Sequence, residues 1–310
     1  MILSKALVFG SMNMDLSICC SRIPAAGETI DGDSFITNPG GKGANQAVAA
    51  ARMGAPVTMV ASVGDDTFGS VLVGCLEGAD IDTSFVRVEA NVPTGTASII
   101  RTDGDNRIIL DHGANYCTSF EDVRRVIDSV GEAGDVFLAQ FECEPAATAD
   151  ALAYAHERGL FTMVNPAPAR DISSEFWGFV DYVCMNETEC EAITGDYPFG
   201  PEDASLAARK IAAFGVKQIV ITLGAKGSYG YDRGEEFFVP ARKVCAVDTT
   251  AAGDTFIGSM VSAHLMGKGF RDAMELATRA SAITVQRAGA QQSIPSLAEV
   301  EGLLWGYTLS

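Results

Sequence analysis

The stretch Val247-Asp248-Thr249-Thr250-Ala251-Ala252-Gly253-Asp254-Thr255-Phe256 carries the most telling chemistry in this chain. Ala251, Ala252 and Gly253 stand where an apolar helical pattern begins. A helix start offers unpaired backbone N–H groups and the positive end of a dipole, and small side chains let an anion reach them. Asp254 follows directly, where a carboxylate would repel a phosphate that was merely being stored. A base that deprotonates a hydroxyl attacking a bound phosphoryl group belongs in that place. An ordinary capped helix start, with Asp254 as a first-turn acid, accounts for the same residues and stays open on this motif alone.

A second stretch, Pro39-Gly40-Gly41-Lys42-Gly43-Ala44-Asn45-Gln46-Ala47-Val48-Ala49-Ala50-Ala51-Arg52-Met53-Gly54, is a Gly-rich turn running into an Ala-rich helix. Glycine permits positive φ and close backbone approach. Lys42 and Asn45 supply donors suited to a polyhydroxylated ligand. This is not a Walker A motif: Lys42 is followed by Gly43, and the other Gly-Lys pair, Gly267-Lys268, is followed by Gly269. Nor is there a clean dinucleotide-binding fingerprint.

Weaker signals are spread along the chain. Asn13 and Asp15 follow the first strand-like run, and ligands gather at the carboxyl ends of strands in open parallel sheets. Together they can hold a diol, although an Asx turn closing the strand is equally compatible. Glu142 follows the Val136 to Gln140 run, a position where a glutamate is commonly just solvated. Asn186 and Glu189 read as a helix cap with a capping-box partner. Thr222-Leu223-Gly224-Ala225-Lys226-Gly227 ends a buried strand in a Gly-containing loop. His112, His156 and His264 read as structural, and Trp177 and Trp305 as packed against the core or its edge.

Taken together, Gly40-Gly41-Lys42-Gly43-Ala44-Asn45 and Asp248-Thr249-Thr250-Ala251-Ala252-Gly253-Asp254 resemble the two signatures of the ribokinase-like (PfkB) carbohydrate kinases. Supporting pieces lie in matching order: Gly10-Ser11-Met12-Asn13-Met14-Asp15, Gln140-Phe141-Glu142, Asn165-Pro166-Ala167-Pro168-Ala169-Arg170, Asn186-Glu187-Thr188-Glu189, Thr222 to Gly227 and Gly289-Ala290-Gln291-Gln292-Ser293-Ile294-Pro295. The match spans almost the full length.

The resemblance implies an α/β three-layer sandwich with a mostly parallel central sheet over residues 1–310. A small β lid would form from approximately 16–37 and 94–112. It implies ATP-dependent phosphorylation of a sugar's primary hydroxyl, first of all O5 of D-ribose; deoxyribose, another sugar or a nucleoside are the alternatives. Asp254 would be the general base, and Ala251, Ala252 and Gly253 the anion hole. The sugar would be held by Asn13, Met14, Asp15, Gly41, Lys42, Gly43, Ala44, Asn45 and Glu142. ATP would lie along Thr222, Leu223, Gly224, Ala225, Lys226 and Gly227, with Gly253 and Thr278, while Asn186 and Glu189 organise phosphates and Mg²⁺ through water. A monovalent cation, K⁺, would be ligated chiefly by carbonyls of Asp248, Thr250, Thr284, Arg287, Gly289 and Ser293. A homodimer formed through the lid is also implied. A noncatalytic sugar or nucleotide sensor is the alternative outside the enzymes, and it would have lost some of Asp254, Gly253, Asn186, Glu189 and Lys42, all present here.

These groups need a scaffold, and the hydropathy pattern supplies one. Ala6 to Gly10, Val57 to Val63, Val136 to Gln140, Phe161 to Asn165, Tyr182 to Met185 and Gln218 to Leu223 read as strands buried on both faces. A strand-like run also covers Glu236 to Pro240 and continues over Val244 to Val247. Helical patterns cover Ala44 to Met53, Phe68 to Glu77, Phe120 to Ser129, Thr148 to Arg158 and Ala204 to Phe214. Such alternation predicts a mostly parallel sheet with helices on both sides. Leu16 to Thr37 breaks it, as does a hairpin at Thr94 to His112 that turns through Asp103-Gly104-Asp105-Asn106.

Composition sets the outer bounds. Among 310 residues, 22 basic and 40 acidic side chains give a net charge of −18, which disfavours nonspecific binding to nucleic acid or anionic membranes. Eight cysteines without a C-x-x-C pair and only three histidines predict free thiols rather than a zinc site. The apolar run Ala6-Leu7-Val8-Phe9 is too short for a signal peptide or a membrane span, so the cytoplasm is the expected location.

Overall fold

The computed structural model describes residues 4–102, 105–170 and 172–302. In chain order its first strands are β1 (Ala6–Phe9), β2 (Asn13–Cys20), β3 (Gly32–Gly40), β4 (Val57–Gly64), β5 (Asp82–Glu89), β6 (Gly95–Thr102) and β7 (Asp105–Asp111). Then follow β8 (Val136–Gln140), β9 (Phe161–Asn165), β10 (Tyr182–Met185), β11 (Gln218–Thr222), β12 (Gly227–Asp232) and β13 (Glu235–Pro240). The helices are α1 (Lys42–Arg52), α2 (Thr67–Glu77), α3 (Phe120–Val130), α4 (Pro145–Glu157), α5 (Glu187–Thr194), α6 (Pro201–Ala212), α7 (Ala252–Leu265), α8 (Phe270–Thr284) and α9 (Leu297–Gly302).

Nine strands form one sheet in the order β13-β12-β11-β10-β9-β8-β1-β4-β5. The strands from β11 to β5 run parallel, and β12 and β13 close one edge as antiparallel strands. The predicted core strands are all present. Helices cover both faces, so these strands need continuous apolar runs rather than alternation. Along β1, Ala6 and Val8 join the core beneath α1, α7 and α8, whereas Leu7 and Phe9 join the core beneath α3, α4 and α6.

The α1–α7 pair matters most for the site. A Cβ on Gly258 would lie 2.4 Å from Ala49 Cβ and 2.6 Å from Ala50 N, so the two backbones pass very close. The Ala-rich composition of α1 permits that approach, and Ser262 Oγ donates to Met53 O at 2.7 Å across it.

The smaller sheet has the order β3-β2-β6-β7, with β2 antiparallel to β3 and parallel to β6. It begins at Asn13 and includes Gly40, because Asn13 pairs with both Gly40 and Gly95. The region is therefore wider than the pattern from Leu16 to Thr37 suggests. Asp103 and Gly104 of the hairpin turn, and Trp305, lie outside the described residues; Trp177 is buried.

One expectation fails. Val244 to Val247 is not a strand: β13 ends at Pro240, the chain leaves the sheet edge, and Val247 is 67% exposed. The N–H groups of Val247 and Asp248 instead donate to Val285 O at 2.7 and 3.2 Å. All eight cysteines are free. Among the described residues no helix is long and apolar enough to cross a membrane.

Candidate active site

The candidate residues collect at the carboxyl ends of adjacent strands in sheet order β1, β8, β9, β10 and β11. Ser11 to Asp15 follow β1, Glu142 follows β8, Asn165 ends β9, Asn186 and Glu189 follow β10, and Thr222 ends β11. Four strand spacings separate the ends of this row, about 19 Å. That is room for a small ligand and an extended one placed end to end. The row lies where open parallel sheets bind ligands.

At the β1 end, the glycines serve backbone packing. Gly41 has φ 90°, and its absent Cβ would lie 2.7 Å from Asn13 N. A Cβ on Gly43 would lie 2.5 Å from both Gly10 C and Ser11 N. The start of α1 is thus pressed against the Gly10–Asn13 segment, with Ala44 N donating to Ser11 O at 2.9 Å. Glu142 Oε2 accepts from Ser11 Oγ, from Lys42 N at 3.1 Å and from Asn13 Nδ2 at 3.3 Å. Asn13 Oδ1 accepts from Asn115 Nδ2 at 2.7 Å, and Gly95 leaves the room for that pair.

Alternation along β2 puts Asn13 and Asp15 on one face and Met14 on the other, inside the core. Met14 brings no side-chain group to the site. Gly43 and Ala44 likewise face the Gly10–Ser11 backbone.

Asp254 sits in the first turn of α7. Asn45 Nδ2 donates to its Oδ2 at 3.0 Å, and Gln46 Nε2 donates to its Oδ1 at 2.9 Å. Asn45 Oδ1 is buried without a partner. Ala251 precedes the helix in the left-handed region, φ 59° and ψ 10°, a conformation that costs a non-glycine residue about 1 kcal/mol. Ala252 N donates to Thr249 O at 3.2 Å, and Thr255 N donates to Ala251 O at 2.8 Å. The next helix-start N–H groups, on Gly253 and Asp254, have no intrahelical acceptor. A Cβ on Gly253 would meet nothing within 4 Å, so the mouth of α7 is open there.

The electrostatics follow from crowding. Burial, with Glu142 and Asp254 adding repulsion, raises the Asp15 carboxyl to about 7, and Lys42 only partly opposes this. Burial works against the Lys42 ammonium, yet Asp254, Glu142, Glu189 and Asp15 outweigh it and hold its pKa above the ordinary lysine value. Glu189 is raised by burial and by Asp254, against the Asn186 N–H, Lys42 and Asn165. One cation thus faces four carboxylates.

At the other end, Asn186 and Glu189 form the complete capping box of α5: Glu189 N donates to Asn186 Oδ1 at 2.8 Å, and Asn186 N donates to Glu189 Oε2 at 2.9 Å. Among the described residues no cluster of three His, Cys, Asp or Glu could cage a metal. Mg²⁺ keeps several waters and needs one or two carboxylates plus substrate phosphates, so Asn186 and Glu189 fit it without a cage. Thr222 Oγ1 donates to Met185 O at 3.3 Å, which holds the Thr222–Gly227 turn beside Asn186. Gly227 has φ 129°, and its Cβ would lie 2.2 Å from Val239 O. Leu223 is buried, and Lys226 Nζ donates to Phe199 O. Thr278 lies on α8 and lines a cavity of about 320 Å³ with Phe238–Arg242, Arg271, Glu275 and Arg279. None of the Thr222–Gly227 residues lines that cavity.

The cation candidates form a loop pair. Asp248 Oδ1 accepts from Thr250 N at 2.9 Å and Thr250 Oγ1 at 2.6 Å, while Oδ2 accepts from Gly289 N at 2.9 Å. Thr284 Oγ1 lies 3.0 Å from Thr255 Oγ1 under α7, and Arg287 N donates to Thr284 O at 3.0 Å. The Arg287 guanidinium pairs with Glu299 at 2.6 Å, and Ser293 Oγ donates to Ala290 O at 2.6 Å. The side chains are engaged with the protein, leaving backbone carbonyls as the groups with spare acceptor capacity.

Ser11, Gln46, Asn115, Gln140 and Asn165 complete the site, and none was singled out from sequence as a site residue. His112 is also close, with Nδ1 3.0 Å from Glu142 O, a carbonyl that can only accept a hydrogen bond from it.

Residues 3–297 match the pfkB family of carbohydrate kinases. The ribokinase of Schizosaccharomyces pombe is 41% identical over 307 residues, 96% of each chain. The deoxyribokinase of Salmonella typhi is 34% identical over 292 residues, 94% of this chain and 95% of that relative. Among solved structures, the ribokinase of Arabidopsis thaliana complexed with ribose and ATP matches with a TM-score of 0.88 at 30% identity, over 100% of both chains. With a family match this long and a fold this close, the chain is an ATP-binding phosphotransferase and belongs to the pfkB family of carbohydrate kinases.

Proposed function

We propose that this enzyme transfers the γ-phosphoryl group of ATP to O5 of D-ribose. The observation that carries the reading is the setting of Asp254: a carboxylate at the open mouth of α7, held by Asn45 and Gln46, beside a buried and unpartnered Asn45 Oδ1. That oxygen needs a donor, and a sugar hydroxyl provides one. Asn13, Asp15 and Lys42 supply further partners for a polyol, with Glu142 holding Asn13 and the start of α1 in place.

In this mechanism Asp254 accepts the O5 proton as that oxygen attacks the γ-phosphorus. The O5–P bond forms, the bond to the β-phosphate oxygen breaks, and ADP departs. The N–H groups of Ala251, Gly253 and Asp254 face the transferring oxygens and stabilise their charge, while that of Ala252 is turned to Thr249 O. Asn186 and Glu189 would hold Mg²⁺ through its waters, and the ion would supply neutralisation of phosphate charge. Thr222 to Gly227 cradle the nucleotide, with Thr278 on the adenine side. Carbonyls of the Asp248–Thr250 and Thr284–Ser293 segments would ligate K⁺, a ligation that would brace the loop before α7. The small sheet covers the sugar as a lid and pairs two subunits; Phe35, Ile36, Ile108 and Ile109 are exposed on it at 61, 45, 61 and 67%.

Deoxyribose is the second reading, favoured by the similarity to a deoxyribokinase. The test measures ADP release from MgATP with ribose, deoxyribose, fructose and adenosine, each with and without K⁺. Ribose-dependent release stimulated by K⁺ is expected. A higher kcat/KM for deoxyribose or adenosine would reassign the substrate.

A further inference from the structure

Gln46 is wholly buried in α1, three residues past Gly43 of the Gly-rich turn. Its amide nitrogen forks, donating to Asp254 Oδ1 at 2.9 Å and to Asn165 Oδ1 at 3.1 Å. Its oxygen accepts from Gln140 Nε2 at 2.7 Å. The partners dictate this orientation: a carboxylate only accepts, so the nitrogen must face Asp254 and the oxygen must face Gln140. With its oxygen filled by Gln46, Asn165 turns its nitrogen to Cys184 O at 3.1 Å and Glu189 Oε2 at 3.4 Å. One buried amide therefore reaches the base directly and the phosphate-side carboxylate through a single intermediary.

We propose that Gln46 is a positioning residue for phosphoryl transfer, its forked amide fixing the Asp254 carboxylate and tying it to the Asn165–Glu189 pair. The inference rests on Asp254 being the general base. A carboxylate rotates freely about a broad two-fold torsion, so it needs a partner on each oxygen to stay aimed. Asn45 holds Oδ2 through its nitrogen and keeps its oxygen for the sugar, so it is shared between base and substrate. Gln46 is wholly buried and holds the other carboxylate oxygen, Oδ1. The charged groups that face Asp254 are Asp15 from β2, Lys42 from α1 and Glu189 from α5, with Glu142 after β8 completing the charged cluster. In a site already rich in carboxylates, an amide restrains the base without adding charge.

Wild type, Gln46→Met, Gln140→Leu and Asp254→Asn are compared with ribose and MgATP. Gln46→Met should lower kcat about 10–100-fold, the scale of a misaimed catalytic group. KM for both substrates should stay within about 3-fold, since Gln46 is wholly buried and offers no surface to either ligand. A kcat within about 2-fold of wild type, or a change confined to KM, overturns the proposal. Should Gln46→Met not fold, Gln140→Leu decides: Gln140 meets neither acid, and freeing the Gln46 amide should lower kcat about 3–10-fold at constant KM. Wild-type kcat in that variant overturns the proposal equally. Full turnover by Asp254→Asn would defeat the general-base reading itself, whereas an inactive Asp254→Asn beside a normal Gln46→Met defeats only the role of Gln46.

Discussion

The starts of α1 and α7 look alike in sequence, small residues followed by polar ones, yet glycine has opposite uses in them. At α1, Gly41 and Gly43 fit against the backbone of Gly10 to Asn13, and a Cβ at either would collide with main-chain atoms. At α7, a Cβ on Gly253 would stand in open space. The first start is a joint that fixes where the Asn13 strand and the Lys42 helix meet. The second is a mouth left clear for something that arrives. A Gly-rich turn is therefore evidence of close approach, but only the fold says whether the approaching group is the chain itself or a ligand.

Substitution separates the two. The largest effect is expected at the joint: Gly43→Ala should destabilise the fold by about 3 kcal/mol, as overpacking against an unyielding backbone, read as a lowered midpoint in urea unfolding. A midpoint equal to wild type would mean that the two segments can part easily.

Next comes Asp15, which the joint holds in place. Asp15→Asn should weaken ribose binding by about 2 kcal/mol, roughly 30-fold in KM, because hydroxyl donors lose a charged acceptor. In the wild-type enzyme ribose affinity should fall as pH drops below about 7, where Asp15 takes up a proton. The sign for stability is opposite. Burial raises the folded carboxyl to about 7 while the unfolded one stays near the ordinary value, about 4, so folding binds the extra proton between them. The contribution of Asp15 is present below that window and is lost as pH rises through it. Asp15→Asn should therefore raise Tm relative to wild type at pH 8 more than at pH 5; an equal difference at both would contradict the raised pKa.

The smallest effect is expected at the mouth. Gly253→Ala should leave Tm unchanged and lower kcat/KM for ATP about 10-fold, by placing a methyl group where phosphate oxygens approach. Loss of stability instead would show that the space is needed by the protein.

The same contrast marks how far the sequence could be read. Strands β1, β4, β8, β9, β10 and β11 were legible because burial on both faces demands unbroken apolar runs. Strand β5 alternates between exposed and half-buried residues, and β12 contains two glycines, so neither shows that pattern. Val244 to Val247 has strand-like residue types but lies exposed beyond the sheet edge. Within the site, Asp254, Lys42, Asn45, Asn186 and Glu189 stand in local motifs and could be named. Gln46, Gln140 and Asn165 lie inside the motif segments without a role that could be read there, and Asn115 lies outside them all. An amide acquires its role from partners far along the chain: Asn115 meets Asn13 across 102 positions, and Gln46 meets Asp254 across 208. No local spacing encodes such a pairing.

The central claim is that Asp254 takes the proton from the attacking hydroxyl. Its most direct test is turnover by Asp254→Asn, with ribose and ATP binding measured by calorimetry on the same protein. The account predicts kcat lowered by about 10²-fold or more, with both ligands still bound, since the amide keeps the shape but cannot accept the proton. Near-normal turnover by that variant would contradict it.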